Sequence, residues 1–179
     1  EIRKFLPDSF VFYQPREIVS GDFYWFEVLR PGVAIIAAAD CTGHGVPGAF
    51  MSMIGHELLN EIIRQRGIES PDDILNHLHL GIRSALKQQE SDNRDGMDIA
   101  LCKIDVTNNQ LLYAGAQNPL LWVENGQLHE IKANKSAMGG WQQEEPRTFP
   151  LHTVALQNRQ FFIFSDGFQV HEILWAENH

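Results

Sequence analysis

Three aspartates of this chain, Asp22, Asp40 and Asp166, each stand at one end of an apolar or aromatic run with a glycine adjacent or three residues on. They occur as Gly21-Asp22-Phe23, Ala39-Asp40-Cys41-Thr42-Gly43 and Ser165-Asp166-Gly167. No lysine or arginine is adjacent in sequence to neutralise any of them. Gathered in one place the three would repel, and a bound divalent cation is the usual relief. All-oxygen donors favour Mg²⁺ or Mn²⁺ over zinc. Two such ions about 4 Å apart can bring the pKa of a shared water from near 16 to about 7 and clamp phosphoryl oxygens. Phosphate monoesters are among the slowest bonds to break unaided, so this is chemistry that they require. A second reading of Asp40 stays open on the spacing alone, as a cap on the helix that follows it.

Other chemistries fit the residues less well. His77 and His79 are two apart on an expected helix, so their rings diverge and cannot pair on zinc. Cys41 has His44 nearby but no evident third partner for a nucleophilic triad. His44 reads as a loop residue and His56 as a half-exposed helix position. A P-loop needs a lysine after its glycines, which Gly43–Gly48 lacks.

The elements that must position the aspartates follow from periodicity. Val33–Ala39 is a short apolar run without polar alternation, the pattern of a strand buried on both faces, and it delivers Asp40 at its end. Phe23–Leu29 is an aromatic strand, and Pro31-Gly32 between the two predicts a hairpin that brings Asp22 towards Asp40. Ser9–Tyr13 also has strand composition. Pro47 to about Gln65 repeats apolar residues at helical spacing and ends at Gly67; Met51 and Met53 read there as core filler. Ser70 as N-cap, Pro71 at the first position and two acids in the first turn open a second helix, with Ile74, Leu75, Leu78, Ile82, Ala85 and Leu86 as its apolar face. Strands are then expected at 99–104, 110–115, 120–123, 127–131, 149–156 and 160–164, with Asn125-Gly126 a strong hairpin signal. One or two helical turns are expected within 168–179. With no repeat and no linker, the chain reads as a single α+β domain over residues 1–179.

Composition narrows the partners. A formal charge of −9 argues against nucleic acid or an anionic membrane surface. Cys41 and Cys102 make no disulfide framework, so a reducing cytoplasm is the default expectation. There is no apolar run of transmembrane length and hence no expected membrane insertion. The chain starts at Glu1 rather than methionine, which reads as a piece of a longer protein.

Five stretches carry a family resemblance in order along the chain. They are Val19-Ser-Gly-Asp-Phe-Tyr-Trp25, Ala39-Asp-Cys-Thr-Gly-His-Gly-Val-Pro-Gly-Ala-Phe-Met-Ser-Met53, Asp95-Gly-Met-Asp-Ile-Ala-Leu-Cys102, Tyr113-Ala-Gly-Ala-Gln-Asn-Pro-Leu120 and Phe164-Ser-Asp-Gly-Phe168. Together they resemble the bacterial sporulation stage II protein E-type serine phosphatases, in the metal-dependent type 2C superfamily. The resemblance implies an α-β-β-α sandwich of two mainly antiparallel sheets flanked by helices, with two Mn²⁺ or Mg²⁺ ions at one end. It implies protein-serine/threonine phosphatase activity in which a metal-bridging water attacks phosphorus. Carried over by motif, Asp22 ligates one metal, Asp40 bridges both, Cys41 contributes its backbone carbonyl alone, and Asp166 ligates the other metal; Asp22 and Asp40 would thus be the catalytic pair. No ligand role carries onto Asp98, for which packing or an outer water contact is expected. The substrate implied is a phosphorylated regulatory protein such as an anti-sigma-factor antagonist. An upstream sensor domain is implied too, with a cytoplasmic location or attachment to a membrane-bound sensor. The family continues past Ser-Asp-Gly to a strand with a further metal-binding acid, which this sequence does not contain. That departure weakens the expected second metal site and leaves a second functional expectation, a pseudophosphatase that binds a partner without turnover.

Overall fold

Pro31-Gly32 does form the expected turn, with Gly32 at φ +78°, a conformation that a side chain resists. It joins β1 (Phe23–Arg30) to β2 (Val33–Cys41) as an antiparallel hairpin with Phe23 opposite Ala39. The computed structural model from which these relations come describes residues 1–15, 18–140 and 147–166. A short helix, α1 (Ile2–Phe5), precedes the hairpin.

Beyond β2 the chain enters α2 (Gly45–Leu59), which passes into a wider π-type turn over Asn60–Gln65. The predicted helix therefore exists but is not uniform: Arg66 N–H bonds to the Glu61 carbonyl, one residue further back than α geometry allows. Gly67, at φ +69°, ends it as expected. Next comes α3 (Pro71–Ala85), with Ile74, Leu75, Leu78 and Ile82 buried as its spacing predicts. Ser70 is at the N-cap, but its hydroxyl donates to the Asp72 carboxylate and accepts no capping bond from a backbone N–H.

The second half is mostly strand: β3 (Gly96–Asp105), β4 (Gln110–Ala116), β5 (Leu120–Glu124), β6 (Gln127–Ile131), β7 (Met138–Gly139), β8 (His152–Ala155) and β9 (Gln160–Phe162). Asn125 and Gly126 take φ of +52° and +73°, the paired positive values of a tight hairpin turn. The larger sheet runs β1-β2-β3-β4-β8, with β7 joined to β3, and the smaller runs β6-β5-β9. All the strand pairs are antiparallel.

Two cores result from one alternation. Odd residues of β2 and β3 (Ile35, Ala37, Ala39, Ile99, Leu101) meet the α2–α3 layer. Even ones (Ile36, Ala100, Cys102, Ile104) meet Leu120, Trp122 and Phe161 of the smaller sheet. A helix layer, the large sheet and the small sheet are thus stacked, which is the mixed α+β architecture expected. Among the described residues the outer face of the small sheet has no long helix on it; the turns expected within 168–179 lie outside the described residues.

Several local expectations need correction. Ser9–Tyr13 forms no strand and joins no sheet among the described residues; Phe10 and Phe12 are exposed. Strand composition reports only that side chains suit a pleated, half-buried surface, and here no sheet edge takes the segment. Met53 is exposed, unlike Met51, because it lies on the face of α2 turned from the sheet, and Phe50 is exposed with it. Ala85 is likewise exposed, at the last turn of α3. His56 is exposed, with its ring nitrogen 3.2 Å from the Asn60 amide.

Candidate functional site

The β1–β2–β3 register sets the site. Phe23 faces Ala39 and Asp40 faces Asp98, so the head of β1, the tail of β2 and the start of β3 finish at the same end of the sheet. By the strand alternation, Asp22, Asp40 and Asp98 share the face turned towards the small sheet. Asp166 arrives from that other sheet, four residues after β9. Its carboxyl and that of Asp22 lie close enough to the Asp40 carboxyl to act on it electrostatically. Ser165 Oγ donates to Asp22 Oδ2 at 2.9 Å. The three aspartates singled out from sequence are therefore brought together.

Their electrostatics follow from that proximity. Asp40 is half-buried, and its pKa is pushed up to about 7, by burial first and then by the neighbouring carboxyls of Asp166 and Asp22. Asp98 is raised as well, by burial and then by Asp166. None of the ion pairs formed between described residues reaches any of the four acids.

Backbone closeness comes from glycines. A side chain at Gly48 would bring Cβ to 2.5 Å from the Gly43 carbonyl oxygen. One at Gly21 would meet the carbonyl oxygens of Gly43 and Cys41 at 3.0 and 3.1 Å. The loop 41–48 can fold against the Gly21-Asp22 backbone because neither position has a Cβ. Carbonyl oxygens and carboxylates consequently crowd one region, a hard-oxygen donor set that fits Mg²⁺ or Mn²⁺. Among the described residues, no three carboxylate, imidazole or thiol groups converge closely enough to form a ready-made cage.

The remaining candidates separate clearly. Cys41 is buried, and burial, followed by the charges of Asp40, Asp22 and Asp98, pushes its thiol up to about 12, so it is no nucleophile at neutral pH. His44 occupies the N-cap position of α2. His77 and His79 do diverge: His77 is turned to the Asp73 carbonyl, while buried His79 accepts from Gly139 N–H at 3.0 Å. Two placements are not local in the sequence. Asp98, expected there only to pack or touch an outer water, lies directly across from Asp40, which the nonlocal β2–β3 register reveals. Thr42 Oγ1 exchanges hydrogen bonds with the backbone of Gly96, at 3.0 and 3.1 Å, and so ties the Asp40 loop to β3.

Two facing antiparallel sheets with acids gathered at one end define a type 2C phosphatase-like domain. The chain belongs to the Stage II sporulation protein E (SpoIIE) family, whose model matches residues 30–171. It is similar in structure to the SiaA-PP2C domain of Pseudomonas aeruginosa, with TM-score 0.76 and 30% identity, over 89% of this chain and 61% of that one. The PP2C phosphatase domain and regulatory-domain fragment of SpoIIE from Bacillus subtilis align with TM-score 0.66 and 21% identity, over 90% and 48%. RsbX in complex with magnesium aligns with TM-score 0.64 and 16% identity, over 87% and 70%. The last two likenesses establish fold alone. The chain spans about three fifths of the SiaA-PP2C chain. Comparison with the curated proteins gives no significant match.

Proposed function

We propose that the chain is the catalytic domain of a metal-dependent protein-serine/threonine phosphatase acting on a phosphorylated regulatory protein. The observation behind this reading is the proximity of Asp22, Asp40 and Asp166, drawn from both sheets to one end of a SpoIIE-family fold. Asp22 and Asp40 would hold one ion, with the Cys41 carbonyl beside them, and Asp40 and Asp166 the other. A bound Mn²⁺ or Mg²⁺ pair supplies Lewis-acid activation of water and neutralisation of phosphoryl charge. The protein's own part is to keep Asp40 between its two partners and to leave that end of the sandwich reachable by a phosphorylated side chain. Membership of the family and the magnesium held by RsbX support the metal.

The structural relative from Bacillus subtilis carries a fragment of a regulatory domain, which supports a place within a longer regulatory protein; a phosphoprotein substrate of the anti-sigma-antagonist kind rests on the family resemblance of the motifs. Among the described residues, no helix is long and apolar enough to cross a membrane. With two free, buried cysteines, this fits a domain that works in the cytoplasm, alone or beneath a membrane-bound sensor. One observation favours a second reading, a partner-binding pseudophosphatase: the acids form no ready-made cage among the described residues. The deciding experiment is phosphate release from an aryl phosphate with and without Mn²⁺, beside Asp40→Ala. Manganese-dependent release that falls to background in the variant supports the enzyme. No release from a folded parent that still binds manganese sinks it in favour of the binding module.

A further inference from the structure

We propose that Ser165 is a positioning residue of the acidic centre: its hydroxyl fixes the Asp22 carboxylate across the gap between the two sheets. This rests on the metal-site reading above and adds to it a group that is not itself a ligand.

The geometry is specific. Ser165 follows β9 of the small sheet, Asp22 precedes β1 of the large one, and 143 residues separate them, yet Oγ and Oδ2 are 2.9 Å apart. The next residue, Asp166, brings its carboxyl near that of Asp40. One dipeptide therefore meets both acids of the hairpin, Asp22 through a hydroxyl proton and Asp40 through a neighbouring carboxyl. Hydrogen bonds to a charged acceptor are short and strong, and a donated proton also relieves repulsion among crowded carboxylates. A lone aspartate at a strand end can rotate about two side-chain bonds. With Oδ2 occupied by Ser165, the Asp22 carboxylate has one orientation, and its other oxygen keeps its lone pairs for a cation. Groups that orient ligands in this way usually account for about 10–100-fold in metal affinity.

The backbone of Asp22 is held separately. Its N–H donates to Ser20 Oγ at 3.0 Å, and its carbonyl accepts from Tyr13 Oη at 3.0 Å. Loss of the Ser165 hydroxyl should accordingly release the carboxylate without moving the strand.

The test is Mn²⁺ affinity, read by the electron paramagnetic resonance of free manganese, for the parent, Ser165→Ala, Ser165→Thr, Ser165→Cys and Asp22→Asn. The expected result is a loss of about 10–100-fold in Ser165→Ala and Ser165→Cys, with Ser165→Thr within about threefold of the parent because it keeps a hydroxyl. Unfolding of each variant in chelator serves as the folding control, and the cysteine variant decides the matter if alanine disturbs the fold. If both alanine and cysteine variants bind within about twofold of the parent while Asp22→Asn binds poorly, the positioning role is wrong and the metal site stands. A parent that binds no manganese overturns both.

Discussion

At the scale of single residues, Asp40 is governed by competition between burial and its neighbours' charge. Its folded pKa of about 7 stands above the ordinary 3.8 of an exposed aspartate. Between those values the folded protein keeps a proton that the unfolded chain has released. Raising the pH through this window, without metal, therefore favours unfolding: the contribution is intact below about pH 4 and gone above about 7. Asp98, shifted in the same direction, adds to it. The size should be about 1–2 kcal/mol once solvent screening of a half-buried group is allowed for. In chelator the urea midpoint of the parent should drop from pH 5 to pH 8, and Asp40→Asn should flatten most of that drop. An equal drop in both proteins would mean that the proton resides elsewhere. The acids themselves were legible, since an uncompensated aspartate at a strand end with a glycine close by is a local pattern. Asp98 and Ser165 were not, because each acquires its meaning from a partner distant in sequence.

At the scale of elements, the entrance to α2 is where local sequence and site geometry meet. Gly48 is buried, and the loop carbonyl of Gly43 occupies the space that its side chain would need, with the Gly21 Cα close by. Gly48→Ala should raise helix propensity yet destabilise the protein, by about 1–3 kcal/mol, since the clash is with backbone and not with a movable side-chain tip. Gly67→Ala makes the useful contrast: nothing lies within 4 Å of its Cβ position, and only its φ of +69° opposes the change. Thermal unfolding should find the Gly48 variant the less stable of the two, and manganese binding should weaken in it alone. Equal midpoints and equal binding would show that the 41–48 loop adjusts freely. Hairpins and helix limits were readable here because turn glycines and caps act locally. The exposed faces of Phe50 and Met53 were not, for periodicity says that a helix has an apolar stripe without saying how much of it the sheet will cover. The segment Ser9–Tyr13 shows the same limit for strands, as propensity supplies no partner.

At the scale of the whole molecule, the acidic centre joins the two sheets, so its occupancy should be felt globally. The strand order β1-β2-β3-β4-β8 beside β6-β5-β9 places β1 and β9 in different sheets, and the contacts of Asp22 and Asp40 with Ser165 and Asp166 close the sandwich at this end. That closure was beyond the sequence pattern, which reveals neighbouring strands joined by short turns but not the return of β8 to β4 or of β9 to β5. A ligand that binds only the folded state stabilises it by mass action, by about 2.7 kcal/mol at a hundred times its dissociation constant. For a chain of this length that corresponds to a rise of about 5–10 °C in the unfolding midpoint. Manganese should produce such a rise at pH 7.5 and little at pH 5, where protons hold the Asp40 carboxyl and compete with the cation. General screening of a −9 chain would instead be matched by sodium at equal ionic strength, and by manganese on Asp40→Asn. Scanning calorimetry of parent and variant in manganese and in matched sodium separates the two. A rise that survives Asp40→Asn would assign the stabilisation to the acidic surface at large, and a rise confined to the parent would place it where the two sheets meet.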